Sequence, residues 1–156
     1  MPDSRRACLE LSKENVIMNF EKITDHIEAV EILGNKRLSV LAKHFGSGCV
    51  VFEFAVYQMM SLLCPDYQGG YWAFYELSNG GFYMAPTDEE GYQVEVAGNG
   101  YQGRLSRDAM GIVATIFAFN YLANKTESEN LIDKYYLVLD YSREHIEARK
   151  IYSAID

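Results

Sequence analysis

A chain of 156 residues with 49% hydrophobic and 23% charged residues can bury a core of its own, which excludes a disordered chain and a miniprotein held by disulfides. Its 22 acidic against 14 basic residues leave a formal net charge of −8. That excludes broad electrostatic attachment to nucleic acid, which needs Lys and Arg to displace counterions from phosphates.

The same charge leaves open an acidic imitation of DNA. The acids are scattered, however, and the densest run, Asp88-Glu89-Glu90, is short. A solvated surface is the favoured reading. Cys8, Cys49 and Cys64 form no paired motif and suit a reducing cytosol. No apolar run approaches the ~20 residues of a membrane span, and Met1–Arg6 leads into no apolar leader segment. A cytoplasmic protein is expected.

Residues 1–19 are weakly patterned and read as an N-terminal arm, flexible or briefly helical; residues 20–156 read as one domain. Phe20–Glu31 is ambiguous between helix and strand. Arg37–Leu41 alternates and reads as extended, with Lys43–Gly46 leading into a helix over about Cys49–Leu63. Val50, Phe54, Tyr57 and Met60 or Ser61 mark that helix's inward stripe, widened by Val51, Ala55 and Leu62; apolar residues nearly all round predict deep burial. Pro65 stops it.

Tyr71–Leu77 and Phe82–Ala85 then read as a hairpin turning at Ser78–Gly81, since aromatics suit a pleated surface and Asn-Gly supplies the reversal. Tyr92–Val96 alternates, Gly98-Asn99-Gly100 turns, and Tyr101–Leu105 returns. Consecutive strands usually neighbour, so the two hairpins are expected to form one four-stranded antiparallel sheet. Ser106 caps a buried helix over Arg107 to about Ala123, with Asp108 in its first turn. Two more helices follow, about Glu129–Asp140 and, capped by Ser142, about Arg143–Ala154. The predicted class is α+β, a small sheet packed with one helix from the N-terminal half and three from the C-terminal end.

No catalytic constellation stands out. His26, His44 and His145 lack partners at metal-ligand spacing, and the glycine pairs open no phosphate loop. No metal and no cofactor are expected. A Cys64–His44 pair is formally a nucleophile and its base, but Cys64 ends an apolar helix, at the dipole end that opposes a thiolate. Asp66, Glu76 and Asp88 could serve acid–base chemistry only if the fold brought two together. The aromatics of the first hairpin could stack bases, yet Asp66–Gly103 contains no Lys or Arg. Core packing with tyrosines reaching water or a protein is the preferred reading.

Several ordered segments carry more than composition does: Leu41–Gly46, Leu63–Trp72, Leu77–Pro86, Gly98–Tyr101, Asp108–Thr115 and Ile151–Asp156. Together they make the chain, from about Asn35 onward, resemble the ArdB/KlcA antirestriction family. It departs at Ala42 and His145, where that pattern has proline. The resemblance implies a small cytoplasmic α+β protein of plasmids or other mobile DNA. Such a protein shields incoming DNA from type I restriction-modification systems without acting as a DNA mimic, through direct or indirect action on the restriction-modification complex.

It brings no catalytic residues. Asp66, Tyr67, Trp72, Tyr75, Asn79, Tyr83 and Asn99, in or beside turns, and Asp156 of the closing Ile-Asp are the candidate protein contacts. Each also has a plain structural role open to it, since Asp and Asn fix turns. An acidic DNA mimic and a cysteine hydrolase built on Cys64 or Cys49 are the competing readings.

Overall fold

The computed structural model describes residues 26–156; the expectations for residues 1–19 and for the start of the ambiguous 20–31 segment lie outside them. In chain order come β1 (Ala29–Glu31), α1 (Lys36–Phe45), a 3-10 turn (Gly46–Gly48) and α2 (Cys49–Leu63). The two hairpins follow, β2 (Trp72–Leu77) with β3 (Phe82–Pro86) and β4 (Gly91–Val96) with β5 (Tyr101–Ser106). Three helices close the described chain: α3 (Arg107–Thr126), α4 (Glu129–Glu144) and α5 (Ala148–Ile155). The class is α+β, as expected.

The sheet differs from expectation. The two hairpins do not pair with each other: β1-β2-β3 form one antiparallel sheet and β4-β5 a second. The physical reason lies at the free edge of β3. Gly111 of α3 sits so close to that strand that a Cβ there would lie 2.4 Å from Ala85 Cα and from Met84 O. One turn on, Thr115 Oγ1 accepts the outward N–H of Met84 at 3.2 Å and donates to its C=O at 3.4 Å. A helix thus occupies the edge that another strand would have used. Pro86, which has no N–H to offer, ends the strand on that same edge.

Arg37–Leu41 is the first half of a helix, not an extended segment. Leu41, His44 and Phe45 recur at helical spacing and turn inward, while Leu38, which had suggested alternation, is exposed. Gly46, at φ 55°, allows the chain to bend into α2. That helix is turned from the expected stripe. Phe52, Ala55, Val56, Met60 and Leu63 are buried, and Val50, Val51, Phe54 and Leu62 face outward. The Lys36–Leu63 segment is apolar enough by composition to pass for a membrane span, but it is two helices with a bend between them, one side packed on the core.

Phe45, Phe52 and Phe119 cluster at the core's centre, Phe52 stacked on both the others, with Phe45 at a centroid distance of 4.0 Å, while Phe82 meets Phe45 and Phe52 edge-on. Helix α3 is the hub, its Ala109–Ile116 run fully or almost fully buried between the first sheet and the helices. Ser106 caps it through a 3.2 Å bond from Ala109 N–H. The last predicted helix is split. Ser142 does not cap it but lies buried inside α4, and the chain breaks at His145, whose backbone is extended. His145 takes the N–H of Glu147 on Nδ1 at 3.0 Å, so Nε2 carries the hydrogen that meets Asp108 Oδ2 at 3.0 Å. That bond ties the break to the first turn of α3.

Candidate protein-contact surface

Between α2 and β2 the chain makes an irregular loop. Gly69 and Gly70 take positive φ, and a Cβ on Gly70 would fall 1.6 Å from Asp88 Oδ2. The Asp88 carboxylate needs that space because it accepts the N–H of Tyr71 at 3.0 Å. Asp66 and Tyr67 line the resulting open cleft of about 310 Å³ with Asp88, Glu89, Tyr92 and Arg104. Asp66 is exposed and Tyr67 half-buried. Of the eight candidate contacts, these two alone share a depression.

Most of the others are used inside the fold. Trp72 is buried, and its indole N–H donates to Tyr67 Oη at 2.6 Å while Tyr57 meets its ring edge-on. Tyr83 is buried under α4, stacked between Tyr75 at 4.8 Å and Tyr141 at 5.5 Å, its hydroxyl donating to Asp108 Oδ1 at 2.9 Å. Burial, then the Asp108 charge, holds the Tyr83 hydroxyl far above the ordinary phenol range. The expectation that Trp72 and Tyr83 face a partner is therefore corrected: aromatic strand residues beside a turn turned inward because both faces of this hairpin are covered. Tyr75 keeps partial exposure.

Asn79 locks the hairpin turn, accepting Gly81 N–H at 3.0 Å and donating to Leu137 O of α4 at 2.9 Å. Asn99 accepts Tyr101 N–H at 2.9 Å. Its amide also reaches the carbonyls of Ser153, Ala154 and Asp156 at 3.1–3.3 Å, so the second hairpin's turn caps the end of α5. This brings Asn99 and Asp156 together, with the Asp156 side chain left exposed.

The Cys64–His44 pairing finds no geometry. His44 Nδ1 lies 2.7 Å from the Lys134 ammonium, which can only donate, so Nε2 carries the hydrogen and meets Glu76 Oε1 at 2.6 Å. Both ring nitrogens are thus engaged away from Cys64. Burial pushes the Cys64 thiol up and holds His44 below its ordinary range, outweighing the hydrogen bond to Glu76. Lys43, then His44, keep the Glu76 carboxyl low against the cost of burial. Among the described residues no three His, Cys, Asp or Glu side chains are placed to hold a metal ion.

Many acids are likewise spent on the fold. Glu76, Asp88 and Asp108 bond as above; Glu147 accepts Ser106 N–H, Glu144 accepts Ile27 N–H, Glu53 accepts the Tyr57 hydroxyl, and Asp140 pairs with Arg143. Two surfaces were missed by sequence reasoning. One is the exposed apolar stripe of α2, signalled only by that helix being apolar on more sides than a core can cover. The other is a cleft of about 550 Å³ between α4 and α5, where Tyr135, Leu139, Arg143, Arg149, Tyr152 and Asp156 converge. Its signal was tyrosines and arginines recurring at helical spacing near the chain's end.

Comparison with known proteins places these features in context. Residues 65–156 match the family model described as antirestriction protein. An Escherichia coli antirestriction protein KlcA is 44% identical over 142 residues, covering 86% of this chain and 97% of its own. The uncharacterized protein YafX of Escherichia coli K12 is 31% identical over 125 residues, covering 78% and 82%. A solved structure superposes with a TM-score of 0.78 at 42% identity, covering 83% of this chain and 95% of that one. It belongs to work on the KlcA and ArdB proteins, reported as a novel fold with antirestriction activity against type I DNA restriction systems in vivo but not in vitro.

Proposed function

The chain belongs to the antirestriction protein family, and from that premise we propose that it protects incoming mobile DNA in the cytoplasm by inhibiting the endonuclease activity of type I restriction-modification systems, through protein contacts and without catalysis. The observation that carries this reading is the relationship to KlcA along most of both chains, with the same fold. The activity reported for the solved relatives in vivo but not in vitro favours action on the restriction complex as it stands in the cell, directly or through a further component. Three features support a non-catalytic inhibitor: the buried, raised Cys64 thiol, the fully engaged His44 and the inward use of Trp72 and Tyr83.

DNA mimicry is the second reading, and the net charge of −8 is what favours it. Against it, the acids of Glu76, Asp88, Asp108, Glu144 and Glu147 are bonded to donors of this same chain instead of standing free in a row. The two readings separate in one experiment: plating of unmodified phage on a type I restricting host that expresses the protein, with methylation of the surviving phage DNA as a second readout. Protection by at least tenfold with methylation intact is expected. Protection with methylation blocked favours mimicry, and unchanged plating with soluble protein present removes the antirestriction reading.

A further inference from the structure

The residues of the cleft between α4 and α5 sort by chemistry along its length. On α4 the lining positions Tyr135, Leu139 and Arg143 follow one another at four-residue spacing; α5 and the residue that closes it supply Arg149, Tyr152 and Asp156. Three residues separate the two helices, so Arg143 and Arg149 flank the turn between them and Asp156 closes α5 at its far end. Leu139 and Tyr135 reach the core from the floor, while Tyr152 is exposed. Arg143 shares its charge with Asp140 of its own helix, and among the described residues Arg149 makes no salt bridge. A groove with a cationic end, an apolar and aromatic middle and an acidic end is an asymmetric surface, built from the residue types that dominate binding energy at protein interfaces.

We propose that this groove receives a short amphipathic helix of a partner protein, acidic at the end that meets Arg143 and Arg149, basic at the end that meets Asp156, with apolar side chains between. A helix is the occupant that fits because the lining comes from two neighbouring helices, whose ridges leave a groove for a third. Nine residues from Tyr135 to Arg143 span about 12 Å, or two to three turns of docked helix. Acids favour a helix N-terminus and bases its C-terminus. The docked helix therefore runs from the arginines towards Asp156. The lining residues lie within the segment matched by the antirestriction family model, whereas the exposed stripe of α2 lies before it. That the partner is a component of a restriction system rests on the function proposed above; the groove's binding chemistry does not.

The test uses the full-length isotope-labelled protein and two capped fourteen-residue probe peptides. Each carries Leu and Phe at helical spacing; one has Glu in its first turn and Lys in its last, and the other has those charges exchanged. Amide shifts at Leu139, Arg143, Arg149 and Tyr152 are expected with the first peptide, with affinity at least tenfold weaker for the exchanged peptide and for Arg143→Glu/Arg149→Glu. No shift at millimolar peptide, equal affinity for both peptides, or shifts confined to α2 would overturn the proposal. A labelled DNA duplex is titrated in parallel, and shifts at the same residues with DNA in place of peptide would overturn it as well. In phage plating, R143E/R149E and Tyr152→Ala are expected to lose at least tenfold in protection with an unchanged melting temperature. If wild type itself gives no protection, the antirestriction reading fails while the peptide result still decides the groove.

Discussion

The two hairpins look alike in sequence, each a pair of strands with tyrosines around a glycine-rich turn, yet they occupy opposite situations. In β2–β3 every residue of β3 is buried and most of β2 is too. In β4–β5 burial alternates, with Tyr92, Val94 and Val96 inward and Gln93 and Glu95 in water. The first is clasped by α3 along its edge and by helices over its face; the second is a lid with one wet side. Strand chemistry says which residues lie in a sheet, but burial on one face or two depends on what packs against it. The first hairpin is accordingly framework, its strands buried on both faces.

Phe82→Ala should make the largest break. The ring is fully buried among Phe45, Phe52, Phe74 and His44, and its loss should cost about 4 kcal/mol in chemical denaturation. Gly111→Ala comes next at about 3 kcal/mol, because the added methyl meets backbone of β3 that cannot swing aside. Tyr83→Phe should cost about 1–2 kcal/mol by leaving Asp108 one donor short. On the other hairpin, Gln93→Ala should stay within about 0.5 kcal/mol. Equal losses at Phe82 and Gln93 would break the contrast between framework and lid.

Acid provides a subtler probe of the first hairpin. Burial, with the charges of Lys134 and Lys43, holds His44 below the ordinary 6.5 against the opposing pull of Glu76. The unfolded chain therefore takes up this proton first as pH falls. The neutral ring's contribution is full above about pH 6.5 and is lost as pH drops through the lowered folded value. Thermal melts from pH 7.5 to 4.5 should show a steeper decline for wild type than for His44→Gln; matching slopes would remove His44 as the cause.

Much of the fold was legible because it rests on local rules. Ser106 capping α3, Asn79 and Asn99 in turns, Pro65 ending α2 and the alternation of β4 follow from side chains acting within a few residues of themselves. What escaped depended on long-range packing. Gly111 lies inside the predicted apolar helix, and nothing local marks it as the point of close approach to a strand that divides one expected sheet into two. Leu38 suggested alternation in what is a helix, and α2 was apolar on too many sides for periodicity to choose its inner face. The candidate contacts fared according to the same divide. Asp66 and Tyr67 share a cleft because a loop of glycines places them there, while Trp72 and Tyr83 were drawn inward by neighbours distant in sequence.

The bond between Thr115 and Met84 has a further meaning for the life of the chain. A flat, apolar strand with unpaired N–H and C=O groups is a template on which other copies assemble. Here α3 lies over that row, so the chain's most apolar strand is shielded from its neighbours for as long as the helix stays seated. Variants that loosen α3 should fail by precipitating, and light scattering on warming should rise before the remaining helices melt. The helix that organises the core is also the guard against aggregation.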